Sequence, residues 1–505
     1  MDRRRQSPPR FASSGAPAVG FKKNSDGILP RFEQLWSECL PAFDQRRVAA
    51  RAQTLALSSL LCLGRHTVTG LLTTSGSQFH DWSATYRLFS QHRLPLPEMF
   101  SAVRRAVADQ LPAGAPFRAV LDDSLLRRSG LHTSGVAWRR DPLGPRFQTN
   151  FVRAQRFLQI SAAMPGKDSV YRLAPIAFVH TPTPPKPKRK ATVEELAQYR
   201  LDARASRLCL RASQQMIQLR QSLDQDAGDG NPRILILAFD GGYTNSTVLK
   251  NIPSRTTCIG RIRKDAKLCF TPAPALRKVR GRRLRYGSHA PTPEQFRTDD
   301  SEPWQTMTFT HSGVAHQLRY KRRQNMMWRT AGVQQILQLL IIAPLAYRLR
   351  KGSKLLYRDP AYLICTDSQL EPRQIIEAYF QRWDIEVNFR DEKTLLGVGQ
   401  AQVRAEASVE SAPALTVAAY GMLLVSAQRA FGNSEQGLLP QPKWAASSKG
   451  PRTSTQQMLH QLRAEVWGRG LGIESFSGFA SNLPTVTKPE KCNFPLASAV
   501  CYANG

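Results

Sequence analysis

The chain has 505 residues, more than one ordinary domain needs and enough to bury a large core. It carries 71 Lys and Arg against 38 Asp and Glu, a formal charge of +33. That excess repels itself unless a polyanion neutralises it, which ranks nucleic acid first among partners and an acidic membrane surface second. No unbroken run of about 18 apolar residues is present, so a membrane span is not expected. The basic start "MDRRRQSPPRFASSG" lacks the apolar stretch of a secretory signal. Eight cysteines are scattered without a C-x-x-C pair. They predict neither a zinc site nor a disulfide framework, and fit a reducing, cytoplasmic setting.

In chain order, residues 1–26 are basic and rich in Pro, Ser and Gly, and are expected to be a disordered tail. Residues 27–115 show helical periodicity in "FEQLWSECL", "RRVAARAQTLALSSLLCL" and "PEMFSAVRRAVADQL", and predict a helical N-terminal domain that binds DNA. Strands are predicted for "FRAVLDDS" (117–124), "FLQISAAMP" (157–165) and "YRLAPIAFVH" (171–180). A Pro/Lys connector, 181–190, precedes a long helix over 192–223, for which Thr192 and Glu195 offer a capping box. "RILILAFDGG" (233–242) reads as a buried parallel strand. Residues 251–357 are strand-like and very basic, and "AYLICTD" (361–367) is another buried strand that opens the segment 358–431. From 432 to 505 a linker and tail with one short helical stretch are expected. This order predicts a mixed α/β sheet covered by helices.

Three acids stand out. Asp122 and Asp123 close "AVLDD", and Asp240 closes "ILILAFD". Asp often ends a strand simply because it starts turns. The third acid is Glu386, in "YFQRWDIEVNFRDEKTLLGVGQAQ" (379–402), read as one helix. At about 100° per residue, Arg382, Glu386 and Lys393 fall roughly −60°, −20° and −40° from Tyr379. The flanks of that stripe are Ile375, Ile376, Trp383 and Val387, while Glu377, Asp384, Asp391 and Glu392 fall opposite. A carboxylate entering a core is costly unless paired. Three that converge need a cation, and hard oxygen ligands suit Mg²⁺, with Mn²⁺ as a substitute. On so basic a protein this points to metal-assisted phosphoryl transfer on nucleic acid.

The spacing Tyr379-x2-Arg382-x3-Glu386-x6-Lys393, with "LDDS", "IIAPLAYR" and "LLYRDPAYLI", resembles the DDE transposases of bacterial insertion sequences. The likeness is to the subgroup with the Tyr-Arg-Glu-Lys signature, within insertion-sequence family four, particularly group 701, and it covers roughly residues 30–430. It implies a ribonuclease H-like mixed sheet flanked by helices, interrupted by a β-rich insertion over 251–357 between core parts 116–250 and 358–431. It implies a metal-binding catalytic triad of Asp123, Asp240 and Glu386, with Asp122 as the substitute for Asp123, since strand alternation turns only one of that pair to the site. Tyr379, Arg382 and Lys393 resemble residues that hold the transposon-end phosphates. Arg280, Arg282 and Arg283, within the basic run 261–287, are expected to track the DNA backbone. The implied partners are terminal inverted repeats and target DNA, bound by a homodimer in the bacterial nucleoid. The contrasting expectations are an inactive DNA-binding relative and a recombinase that uses Tyr379 as a covalent nucleophile.

Overall fold

The computed structural model describes residues 27–130, 133–141, 144–145, 147–166, 171–272, 284–311, 314–350, 352–432 and 452–470. The tail 1–26, Arg280, Arg282, Arg283 and most of 432–505 therefore lie outside the described residues.

Five helices come first: α1 (Ile28–Cys39), α2 (Arg46–Leu61), α3 (Val68–Thr74), α4 (Ser83–Ser90) and α5 (Leu96–Ala108). Then follow β1 (Phe117–Arg127), β2 (Ala137–Arg140), β3 (Phe151–Met164), β4 (Arg172–His180), α6 (Val193–Ala205), α7 (Leu208–Ala227) and β5 (Leu235–Phe239). The predicted capping box at Thr192 and Glu195 starts α6, but the long helix stops at Ser206 and restarts as α7. Next come α8 (Ser246–Leu249), β6 (Thr256–Arg261), β7 (Leu268–Phe270), α9 (Pro293–Thr298), β8 (Gln305–His311), β9 (Val314–Trp328) and β10 (Leu337–Ile342). The short pair β11 (Ala346–Tyr347) and β12 (Leu356–Tyr357) precedes β13 (Ala361–Cys365), α10 (Pro372–Gln381), α11 (Trp383–Thr394), α12 (Glu406–Phe431) and α13 (Thr455–Gly470).

One sheet of eleven strands organises the chain. Its first part runs β4–β3–β1–β5–β6, antiparallel from β4 to β1 and parallel from β1 to β6. That is the ribonuclease H-like arrangement. The insertion expected over 251–357 starts too early, since β6 belongs to this arrangement, and the strands that follow do not stand apart. β10 and β9 continue the same sheet beyond β13, because β10 ("LQLLII") is buried along its whole length and needs neighbours on both edges.

The N-terminal helices are likewise not a separate body. Their apolar faces close on α12, and residues from Ile28 to Leu462 share one core. No helix is expected from the sequence over α12 ("EASVESAPALTVAAYGMLLVSAQRAF"). A helix that is apolar all round shows no amphipathic stripe, and Pro413 inside it reads as a breaker. By length and composition it would cross a membrane, yet 94% of its apolar window is buried inside the protein. Small residues let neighbours approach: a Cβ on Gly421 would stand 2.8 Å from the Pro175 carbonyl oxygen of β4.

The C-terminal helix α13 ties the two ends of the fold together. The backbone N–H groups of Ile28 and Leu29, at the uncapped start of α1, donate to Glu465 at 3.1 and 2.7 Å. Glu465→Ala leaves two first-turn amides without an acceptor and should cost about 1–3 kcal/mol. A urea denaturation midpoint unchanged by this substitution would show that water replaces the carboxylate at no cost.

Candidate active site

β1 and β5 run parallel in register from Phe117–Leu235 to Leu121–Phe239, and Asp122 and Asp240 follow that last pair. Alternation then sets their direction. Val120 of β1, and Ile236 and Ala238 of β5, face α10 and α11 in a core with Ile375, Ile376, Ala378 and Ile385. Asp122 and Asp240 continue that parity. Arg118, also of that parity, pairs with Glu377 of α10 at 3.1 Å, which pins the helix over this face.

The predicted helix from 379 breaks at Arg382 and ends at Thr394, not near 402. The Arg382 N–H reaches back to the Tyr379 carbonyl and the Ile385 N–H to that of Arg382, a tight turn between two helices. Its guanidinium then lies 5.9 and 5.6 Å from the rings of Tyr379 and Trp383. Arg382 Nη1 stands 3.4 Å from Asp122 Oδ2 and 3.3 Å from Glu386 Oε1, so it bridges the strand acid and the helix acid. Burial first, then the Asp123 and Asp240 carboxylates, push the Asp122 carboxyl up to about 7 against the pull of Arg382 and the Asp123 N–H. The Arg382 guanidinium is itself raised, burial being outweighed by Tyr379, Asp122, Asp240 and Glu386.

The structure therefore puts Arg382 in contact with both Asp122 and Glu386, with Tyr379 beneath its guanidinium and Asp240 near enough for its charge to act on Asp122, Tyr379 and Arg382. It turns Asp123 to the opposite face of β1, where Asp123 accepts the Tyr243 hydroxyl at 2.6 Å and pairs with Arg156 at 3.2 Å. Lys393 lies further along α11, over the Phe389 ring, and senses Asp123 rather than Asp122. Nothing in the sequence singles out Tyr243 or Arg156. The position of Asp122 does have a signal: it is the first acid after "AVL", as Asp240 is the first after "LAF".

The stripe on the Glu-bearing helix needs correction. Glu386 is half open, its side chain 42% exposed. Trp383, expected on an apolar flank, is exposed, whereas Asp391 and Glu392, expected on the outer side, are buried. Behind α11 lie β4, α12 and the start of α13. There Asp391 accepts the Thr455 hydroxyl at 2.7 Å, and Asn388 donates to Ser161 and to the Leu173 carbonyl. The helix is thus half open at Glu386 and covered by core on the side that carries Asn388, Asp391 and Glu392.

Over residues 37–335, more than half of its length, the chain matches the family model for DDE superfamily endonucleases. The chain belongs to this family. The match includes Asp122, Asp123 and Asp240 and ends before the helices that carry Tyr379, Arg382, Glu386 and Lys393. Comparison with curated proteins returned no match. For a DDE endonuclease the substrate is DNA, in line with the net charge.

By residue type, the acids here suit the family's typical divalent metal. Asp122, Asp240 and Glu386 supply hard oxygens, and a positive charge already stands between two of them. Among the described residues, however, no group of three His, Cys, Asp or Glu stands close enough to hold a metal ion.

Proposed function

We propose that this DDE endonuclease is the transposase of a bacterial insertion sequence of the Tyr-Arg-Glu-Lys subgroup, close to group 701, cutting and joining DNA at terminal inverted repeats. One observation carries the reading: two acids at adjacent parallel strand ends share the face over which the Glu386 helix packs, and Arg382 bridges one of them, Asp122, to Glu386. Asp122, in place of Asp123, would be the first ligand, and Asp240 and Glu386 would complete the set for Mg²⁺ or Mn²⁺. Such a cation supplies Lewis acidity to the scissile phosphate and its attacking oxygen.

The chain's own residues do the rest. Asp122 and Glu386 surrender the Arg382 charge they share, and Arg382 then forks a phosphate of the transposon end. The Tyr379 hydroxyl donates to the same strand. Lys393 adds a point charge further along, and Arg280, Arg282 and Arg283 track the backbone without reading sequence. Water hydrolyses one strand at the end, leaving a 3′-hydroxyl on the element and a 5′-phosphate on the flank. That hydroxyl displaces the flanking 3′-oxygen of the opposite strand to give a hairpin. Water reopens the hairpin to regenerate the 3′-hydroxyl, which then displaces a 3′-oxygen of target DNA. Holding two ends calls for a homodimer on DNA, in the nucleoid.

A covalent tyrosine mechanism is disfavoured. Burial raises the Tyr379 hydroxyl above its ordinary value, and Glu386 lies where such a site would need further bases. The inactive DNA-binding reading draws support from the separation of the acids.

Cleavage of a duplex bearing the element's own end decides. With Mg²⁺ the protein should nick that end, and Asp240→Asn should stop the nicking while end binding changes less than about threefold, because phosphate contacts remain. No DNA should stay attached to the protein after denaturation. Wild-type protein that binds the end but never cuts would establish the inactive relative, and DNA trapped on Tyr379 would establish the recombinase.

A further inference from the structure

On the other face of β1, behind the acids, lies a second polar feature. A cavity of about 220 Å³ is lined by Arg139, Arg156, Thr181, Thr183, Ser206 and Arg207, among others. Strand pairing accounts for two of the arginines. Arg156 faces Leu125 across β1–β3, and Arg139 faces Val152 across β2–β3, so both project to the side where α7 begins. Arg207 immediately precedes α7, and no side chain caps that helix.

The charges around this cavity do not balance. Asp123 is the carboxylate paired with Arg156. Arg139 donates to the Thr183 hydroxyl at 2.8 Å and to the Ala154 carbonyl, and among the described residues neither it nor Arg207 has an ion-pair partner. Burial, reinforced by Arg156 and only partly offset by the Asp123 carboxylate, lowers the Arg139 guanidinium to about 10. Arg207 is exposed at the cavity's edge, but Arg139 is half-buried without an ion-pair partner of its own, which is costly, and an anion from outside relieves the cost.

We propose that this cavity is a phosphate-binding pocket that takes a backbone phosphate of the bound DNA. Its ligand chemistry is the phosphate oxygen set: guanidinium forks from Arg139, Arg156 and Arg207, with hydroxyl donors from Thr183 and Ser206. Inorganic phosphate would satisfy the same groups. DNA is favoured because the pocket's rim runs straight into a charged track. Thr181, Thr183 and Pro184 line it, and exposed Lys186, Lys188, Arg189 and Lys190 follow in the same segment. A phosphate here would sit behind the strand that carries Asp122, so one DNA strand would be held at two points around the rim of the sheet. This inference rests on the DNA-processing reading above.

The test uses the full chain and two variants, Arg207→Ala and the double variant Arg139→Gln/Arg207→Ala. Inorganic phosphate at millimolar concentration should raise the thermal midpoint of the wild type, weakly in Arg207→Ala and not at all in the double variant. In a salt series with a random duplex, the slope of log affinity against log salt should shrink by about 0.9 for each DNA phosphate that a variant no longer neutralises. A phosphate effect with an unchanged DNA slope would assign the pocket to free phosphate and overturn the DNA assignment. Equal phosphate response and equal slopes in all three proteins, with circular dichroism confirming that the variants are folded, would overturn the pocket. A wild type that binds no duplex at all would instead overturn the DNA reading itself.

Discussion

Asp122→Asn should abolish metal-dependent cleavage, while Asp123→Asn should leave most of it. A ligand carboxylate supplies several kcal/mol of charge stabilisation in such sites, so its loss corresponds to a fall of roughly 10³-fold. Asp122 stands 3.4 Å from Arg382, beside Asp240 and Glu386. Asp123 is held by Tyr243 and Arg156 on the other face. Its replacement leaves Arg156 under-compensated and should cost about 1–2 kcal/mol of stability, with a modest effect on rate. Single-turnover nicking of an end-bearing duplex, with denaturation curves for both variants, separates the two effects. If Asp123→Asn is the dead enzyme and Asp122→Asn cuts, the faces of β1 have been assigned the wrong way round.

That ambiguity marks where the sequence ceases to be readable. The strands around the acids are legible because β1, β3, β4 and β5 are compact apolar runs bounded by turn residues, and the Tyr379–Lys393 spacing locates the Glu386 helix. Which of two adjacent acids faces that helix depends on the partner of Arg118, a residue 259 positions away in sequence. The burial of Asp391 and Glu392 is illegible for a related reason. A charged residue at a helical outer position reads as solvated, and only the later arrival of α12 and α13 covers it. α12 itself has no stripe because every side of it is covered, so periodicity has nothing to detect. The integration of the basic insert into the sheet rests on long-range pairing between β10 and β13, which leaves no local trace.

Glu392 makes the second large effect a matter of pH. It is fully buried, and burial raises its carboxyl to about 8, with Asp391 adding to the rise and Gln159 and Lys393 opposing it. Among the described residues its Oε1 and the Gln159 Oε1 both lack a partner, an arrangement that a protonated acid relieves because it can donate. The sign follows. Between its ordinary value near 4.5 and about 8, the folded chain keeps a proton that the unfolded chain has lost. Stability should therefore fall as pH rises through this window and level off above it, by a few kcal/mol at about 1.4 kcal/mol per unit. Glu392→Gln removes the charge and keeps the shape. Urea midpoints of variant and wild type should agree at about pH 4.5 and diverge by about pH 8.5, with the variant more stable. Glu392 lies on α11, the helix that carries Glu386, so ionisation there should loosen the helix that holds the proposed catalytic acid. A variant less stable than wild type at the alkaline end would mean that Glu392 is ionised in the fold and paired with Lys393, and the buried-acid account of this wall would then be wrong.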